Sequence, residues 1–161
     1  MYIYGYHILF YISVAATLGI SAFGLWKGDS AVRYAVAIRL AVELATLIIN
    51  PKLGDVGGES ALLVVDFGFA VILLFLAVRF ASLWIGAAMI LQAAQFSLHA
   101  YYLVMELPHD RLHAWINNTD DWGIVISLCV GTILAMRRRK ALAREEAERE
   151  TRRQQRTSLA R

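Results

Sequence analysis

Charge, cysteine and proline are all scarce in this chain. Only 18% of its 161 residues are charged, where an ordinary soluble domain carries about 25%. The single cysteine, Cys129, lies in an apolar stretch, which excludes an intrachain disulfide and a disulfide-stapled scaffold. The two prolines, Pro51 and Pro108, both fall in polar segments between apolar blocks. No nucleophile–base pair, phosphate-cradling glycine loop or metalloprotease motif occurs, so no residue pattern supports an enzyme. What is abundant is apolar: 58% of residues are hydrophobic and the mean hydropathy is +0.52. That composition excludes a disordered chain and a soluble enzyme, and leaves a small multipass membrane protein.

The apolar residues come in blocks. A spanning helix needs about 20 of them at ~1.5 Å rise each. The first block, Tyr2 to Trp26, has no formal charge and no basic start of the signal-peptide kind, so it reads as a retained first helix. Tyr2, Tyr4, Tyr6 and Tyr11 crowd one end and Trp26 marks the other, as interfacial aromatics do. A second block runs from Ala31 to Asn50, after the turn Lys27 to Ser30. Pro51 to Glu59, with Gly54, Gly57 and Gly58, reads as a loop. Residues 60–105 are too long for one crossing and must fold back, with a tight hairpin expected at Arg79 to Ser82. Glu106 to Asp121 is polar. Trp122 to Met136 is a short last span that continues into a charged helical tail, where Glu145–Arg149 and Glu148–Arg152 are helix-favouring pairs. The expected fold is therefore all-α: a membrane bundle of about five helices over residues 1–136, and a charged helix over 137–161.

Charge sets the expected orientation. The tail holds ten basic and four acidic residues, net +6, while the rest of the chain is net −3. A basic cluster after a membrane helix is explained by orientation and anionic lipid, so it does not argue for nucleic acid. Placing the tail in the cytosol puts Lys27, Arg33 and Arg79 inside and the N-terminus outside. The 13 arginines against 3 lysines, with abundant alanine, point to a GC-rich bacterial genome.

Ionised side chains at membrane depth cost a few kcal/mol or more and face the bundle interior or a cavity. Arg39, Glu43, Thr46 and Asn50 form one stripe of the second helix; Gln92, Gln95, His99, Tyr102 and Glu106 form one stripe of the fourth; Asp66 belongs to the third. Glu43, Asp66 and His99 lie at matching depths, roughly 9–11 Å from the outer surface at ~1.5 Å per residue. Arg39, one turn deeper, is expected to reach Glu43 and Asp66. Two readings follow. Arg39, Glu43, Asp66, Gln92, Gln95 and His99 read either as mutual neutralisation and interhelical bonding, or as a polar cavity for an ion, protons or a small ligand.

Other candidates are thinner. His7 and His99 would supply only one pair of haem ligands, so no cofactor is expected. In Glu106 to His113, a helix starting at Pro108 would put His109 and His113 on one face, with Glu106 or Asp110 as a third metal ligand. Leu112, Trp115 and Ile116 equally make that segment a helix lying on the membrane surface. Asn117-Asn118-Thr119 fits a glycosylation sequon, relevant only in a eukaryotic secretory membrane. Gly123, Ser127 and Gly131 form a small-residue stripe that packs within the bundle or against another subunit.

Val65-Asp66-Phe67, the Arg79 hairpin, Trp84 leading into the next helix, and Gln95 and His99 late in it together form a pattern. It resembles small uncharacterised multipass inner-membrane proteins of alphaproteobacteria. The resemblance implies a bacterial inner-membrane location and no activity. The expected role is non-enzymatic, an accessory or assembly subunit in the lipid bilayer, partnered by other membrane subunits or a second copy. The alternative is a small transporter, channel or ligand sensor built on the polar cluster.

Overall fold

The computed structural model describes residues 3–49, 56–108 and 110–159. They form five helices: α1 (Ile3–Lys27), α2 (Ser30–Ile49), α3 (Val56–Phe80), α4 (Leu83–Val104) and α5 (Arg111–Leu159). Each helix packs on the next in sequence, α5 closes the ring on α1, and α5 also reaches α2 across the bundle. Short turns make this order natural, because a two-residue link returns the chain antiparallel to itself.

The hairpin expected at Arg79 to Ser82 is present, and it turns without glycine. Ala81 adopts φ 46°, the left-handed conformation that usually selects glycine. The Ser82 N–H donates to the Ala77 carbonyl at 3.2 Å and the Ala81 N–H to that of Val78 at 3.3 Å. These two bonds satisfy carbonyls that the helix end would otherwise orphan. The end of α4 repeats the device: Glu106 has φ 51°, with Leu107 N–H to Tyr102 O and Glu106 N–H to Leu103 O. Glu106 therefore leaves the helix and is exposed, which corrects its placement on the α4 stripe.

Two further expectations change. Pro51 to Glu59 is not all loop, since α3 already begins at Val56. Asn50, the last member of the α2 stripe, lies outside the described residues. From Arg111 onward, the polar segment before Trp122 is not a separate surface helix. It is the first part of α5, which runs unbroken for 49 residues, about 74 Å at ~1.5 Å per residue. Asp110 starts this helix by accepting the His113 N–H at 2.8 Å, an N-cap bond that Pro108 as first helical residue could not have provided.

Gly58–Phe80, Leu83–Val104 and Arg111–Arg156 are long and apolar enough to cross a membrane. Ile12–Lys27 is a shorter apolar stretch. α2 carries Arg33, Arg39 and Glu43 within 20 residues. Among the described residues, length and composition thus qualify three helices. Val64, Phe67, Phe75, Val78, Leu83 and Ile90 point outward, as large apolar side chains do on a surface that meets lipid.

The core is polarised along its length. Val32, Ala35 and Val36 of α2, Phe69, Leu73 and Leu76 of α3, Ile85 and Ala88 of α4, and Leu128 and Ala135 of α5 are buried. All sit toward the end where the α1–α2 and α3–α4 turns lie. There Tyr34 stacks on Phe80 at 6.2 Å, and Arg139 Nη2 donates to the Gly28 carbonyl at 2.7 Å. Continuing each buried stripe by helical spacing toward the other end gives Arg39 and Glu43, then Asp66, then Gln92, Gln95 and His99.

Candidate functional site

At that second end the polar side chains form two networks, not one. The first joins α1, α2 and α5. Arg39 Nη2 lies 3.0 Å from Glu43 Oε2, one helical turn on, and also binds Asp121 Oδ1. Ser13 Oγ donates to the other carboxylate oxygen of Asp121 at 2.7 Å. The Arg39 side chain is only 6% exposed, so its charge is compensated by these two acids rather than by water.

The second network joins α3, α4 and α5. Gln92 Nε2 donates to Asp66 Oδ1 at 3.1 Å. His99 Nδ1 lies 2.5 Å from Asp66 Oδ2, and His99 Nε2 lies 3.1 Å from Asn117 Oδ1. Gln95 Nε2 donates to the same Asn117 oxygen at 2.8 Å. The His99 ring stacks on His113 at 5.2 Å, and His113 meets the Tyr102 ring edge-on at 4.6 Å. Tyr102 OH in turn donates to Asp110 at 2.9 Å.

The expected convergence of Arg39, Glu43 and Asp66 is therefore corrected. Glu43 joins Arg39, while Asp66 turns to His99 and Gln92. The acid that replaces Asp66 at Arg39 is Asp121, which the sequence reading had placed in an outer polar segment. Three residues of α5 were missed for that reason: Asn117, Asp120 and Asp121. A signal existed, because His113, Asn117, Asp120 and Ile124 follow helical spacing i, i+4, i+7, i+11. Asp120 is 7% exposed, and its Oδ2 has no hydrogen-bond partner.

α1 contributes a second missed pattern. Ser13, Thr17, Ser21, Gly24 and Gly28 lie on one face, and Thr17 and Ser21 are buried. A Cβ on Gly24 would stand 2.9 Å from Val36 Cγ2, so this face lets α2 approach closely. The stripe that was anticipated, Gly123, Ser127 and Gly131, packs inside the chain against α4. A Cβ on Gly123 would meet Leu91 at 2.6 Å, and one on Gly131 the Trp84 indole at 2.5 Å. Ser127 Oγ returns to the Gly123 carbonyl at 2.9 Å.

Glu106 is exposed beyond α4, His113 is buried between His99 and Tyr102, and His109 lies outside the described residues. Among the described residues no group of three or more His, Cys, Asp or Glu side chains stands as a metal site. The side chain of His7 lies outside the described residues as well. Asp110 instead works as a cap. The His113 N–H, and then the Tyr102 hydroxyl, hold its carboxyl below the usual aspartate range. Because the folded value is depressed, its contribution to stability is complete above the unfolded value of about 3.9 and fades as pH falls through the lower folded value.

Compared with known proteins, the chain matches no family model, no curated protein and no solved structure.

Proposed function

We propose that the chain is a non-enzymatic integral protein of a bacterial inner membrane, an accessory or assembly subunit that works by holding a helix in place. In this reading five helices cross the bilayer, with the N-terminus outside and the tail in the cytosol. The orientation rests on charge: Lys27, Arg33, Arg79 and Arg137 to Lys140 all fall at the hairpin end of the bundle.

One observation carries the proposal. α5 is built into the bundle over its first half and is exposed at every residue from 137 to 156. A solvated helix of that length gains little from its own chain, since isolated helices are marginal and single exposed pairs contribute only a few tenths of a kcal/mol. Its rigid continuation from the bundle, fixed by Arg139 on Gly28, gives it a set direction. That suits a surface for another subunit of a membrane complex.

The test compares the full chain with one ending after Lys140, each expressed in its membrane and purified in mild detergent. The full chain should bring down one membrane complex in fixed stoichiometry, and the shortened chain should insert and fold but lose it. Equal recovery by both, or recovery of nothing by either, would sink the reading. A second reading, transport or sensing at the polar end, is favoured by charge. Glu43 and Asp121 share the Arg39 guanidinium, and Asp66, paired with His99, and the buried Asp120 add carboxyls whose charge a proton or cation would relieve.

A further inference from the structure

Asn117 fixes the hydrogen positions of its neighbours. Its Oδ1 already accepts from Gln95 Nε2 at 2.8 Å and lies 3.1 Å from His99 Nε2. A carbonyl oxygen offers only lone pairs, so with the Asn117 and Gln95 amides oriented this way the bond to His99 calls for a hydrogen on Nε2. On the other side of the ring, Nδ1 is 2.5 Å from Asp66 Oδ2. A neutral ring protonated on Nε2 has a bare Nδ1. Facing an ionised carboxylate, it would oppose lone pair to lone pair at a distance where only a hydrogen bond is stable.

We propose that Asp66 and His99 form a proton-binding site in the seam between α3 and α4. The pair holds one proton between Nδ1 and Oδ2, in addition to the hydrogen on Nε2. Imidazolium with carboxylate, and imidazole with carboxylic acid, are two descriptions of the same occupancy, since the proton count belongs to the pair.

The surroundings support this occupancy. On α3, Asp66 is anchored by Gln92 from α4, and Glu59 and Arg79 lie near the helix ends. On α4, the titratable neighbour is Tyr102. At the start of α5 they are Asp110, which bonds Tyr102 and His113, and Arg111, then His113, stacked on His99, the buried Asp120 and the half-buried Asp121. From α2, Glu43 and Asp121 already share the Arg39 guanidinium, so that cation is committed elsewhere. α1 brings no titratable side chain between Ile12 and Trp26. A proton on the His99 pair therefore sets positive charge against Asp66 and near the buried Asp120.

The experiment uses the full chain, labelled with 15N-histidine, in lipid nanodiscs at pH 7, with His99→Gln to assign the ring. Nitrogen shifts separate a doubly protonated ring from a singly protonated one, and infrared spectra report a carboxylic-acid band. The expected result is either a His99 imidazolium or a carboxylic-acid band that disappears in Asp66→Asn. That variant should keep its fold, because an amide hydrogen can take the position of the bound proton. A singly protonated His99 together with an unchanged carboxyl spectrum in Asp66→Asn would overturn the proposal. Asp66→Glu, which keeps the acid, should retain the signal, and its loss there without unfolding would count equally against the site.

Discussion

The two ends of the bundle are made from the same helices by opposite means. At the hairpin end, Val32, Val36, Phe69, Leu73 and Ile85 fill space by shape. At the other end, the same faces carry Arg39, Asp66 and Gln92, and contact is made by pairing. An apolar core tolerates exchanges of similar volume, usually for less than about 1.5 kcal/mol. A buried ion pair behaves differently, because deleting one member leaves the other charged and unsheltered. The apolar end should therefore be robust to substitution and the polar end brittle.

The largest expected effect tests that brittleness. Arg39→Leu leaves Glu43 and Asp121 without their cation and should cost about 3–5 kcal/mol, measured by reversible unfolding in detergent or bicelles. Replacing Arg39, Glu43 and Asp121 together by apolar residues of similar size should recover most of that loss. A triple variant no more stable than the single one would break the comparison.

A smaller effect is expected where the apolar end is tightest. Gly131→Leu drives a side chain into the Trp84 indole, a rigid neighbour, and should cost about 1–3 kcal/mol through overpacking. Gly123→Ala should cost less, because it meets only the flexible end of Leu91. Equal losses at the two positions would show that α4 shifts as a body. At the hairpin, Ala81→Gly relieves a left-handed alanine and should stabilise by about 1 kcal/mol in the same assay. The smallest effect belongs to the tail: ending the chain after Lys140 should move the unfolding free energy by no more than about 0.5 kcal/mol, since residues 141–156 are all exposed.

Much of this architecture is written in local pattern. That residues 60–105 fold back follows from length, because they exceed any single crossing, and the polar interruption at Arg79 to Ser82 near their middle places the hairpin. The stripes of α2 and α4 up to Tyr102 follow from helical spacing. α5 was harder to read, because its first turns are polar and hydropathy marks a boundary at Trp122 that the backbone ignores. Once those turns are helical, Asn117, Asp120 and Asp121 enter the interior, and they decide which charges meet. Arg39 reaches Glu43 by spacing within one helix, yet its second acid lies 82 residues away.

The amino-acid order by itself determined that the chain is helical and apolar, where it turns back, and which side chains need shelter from lipid, because helix period and transfer cost are local properties. Which of those side chains share a partner was decided only by tertiary structure. Pairing depends on how helices are rotated and staggered against one another. That arrangement sends Asp66 to His99 and gives Arg39 to Asp121.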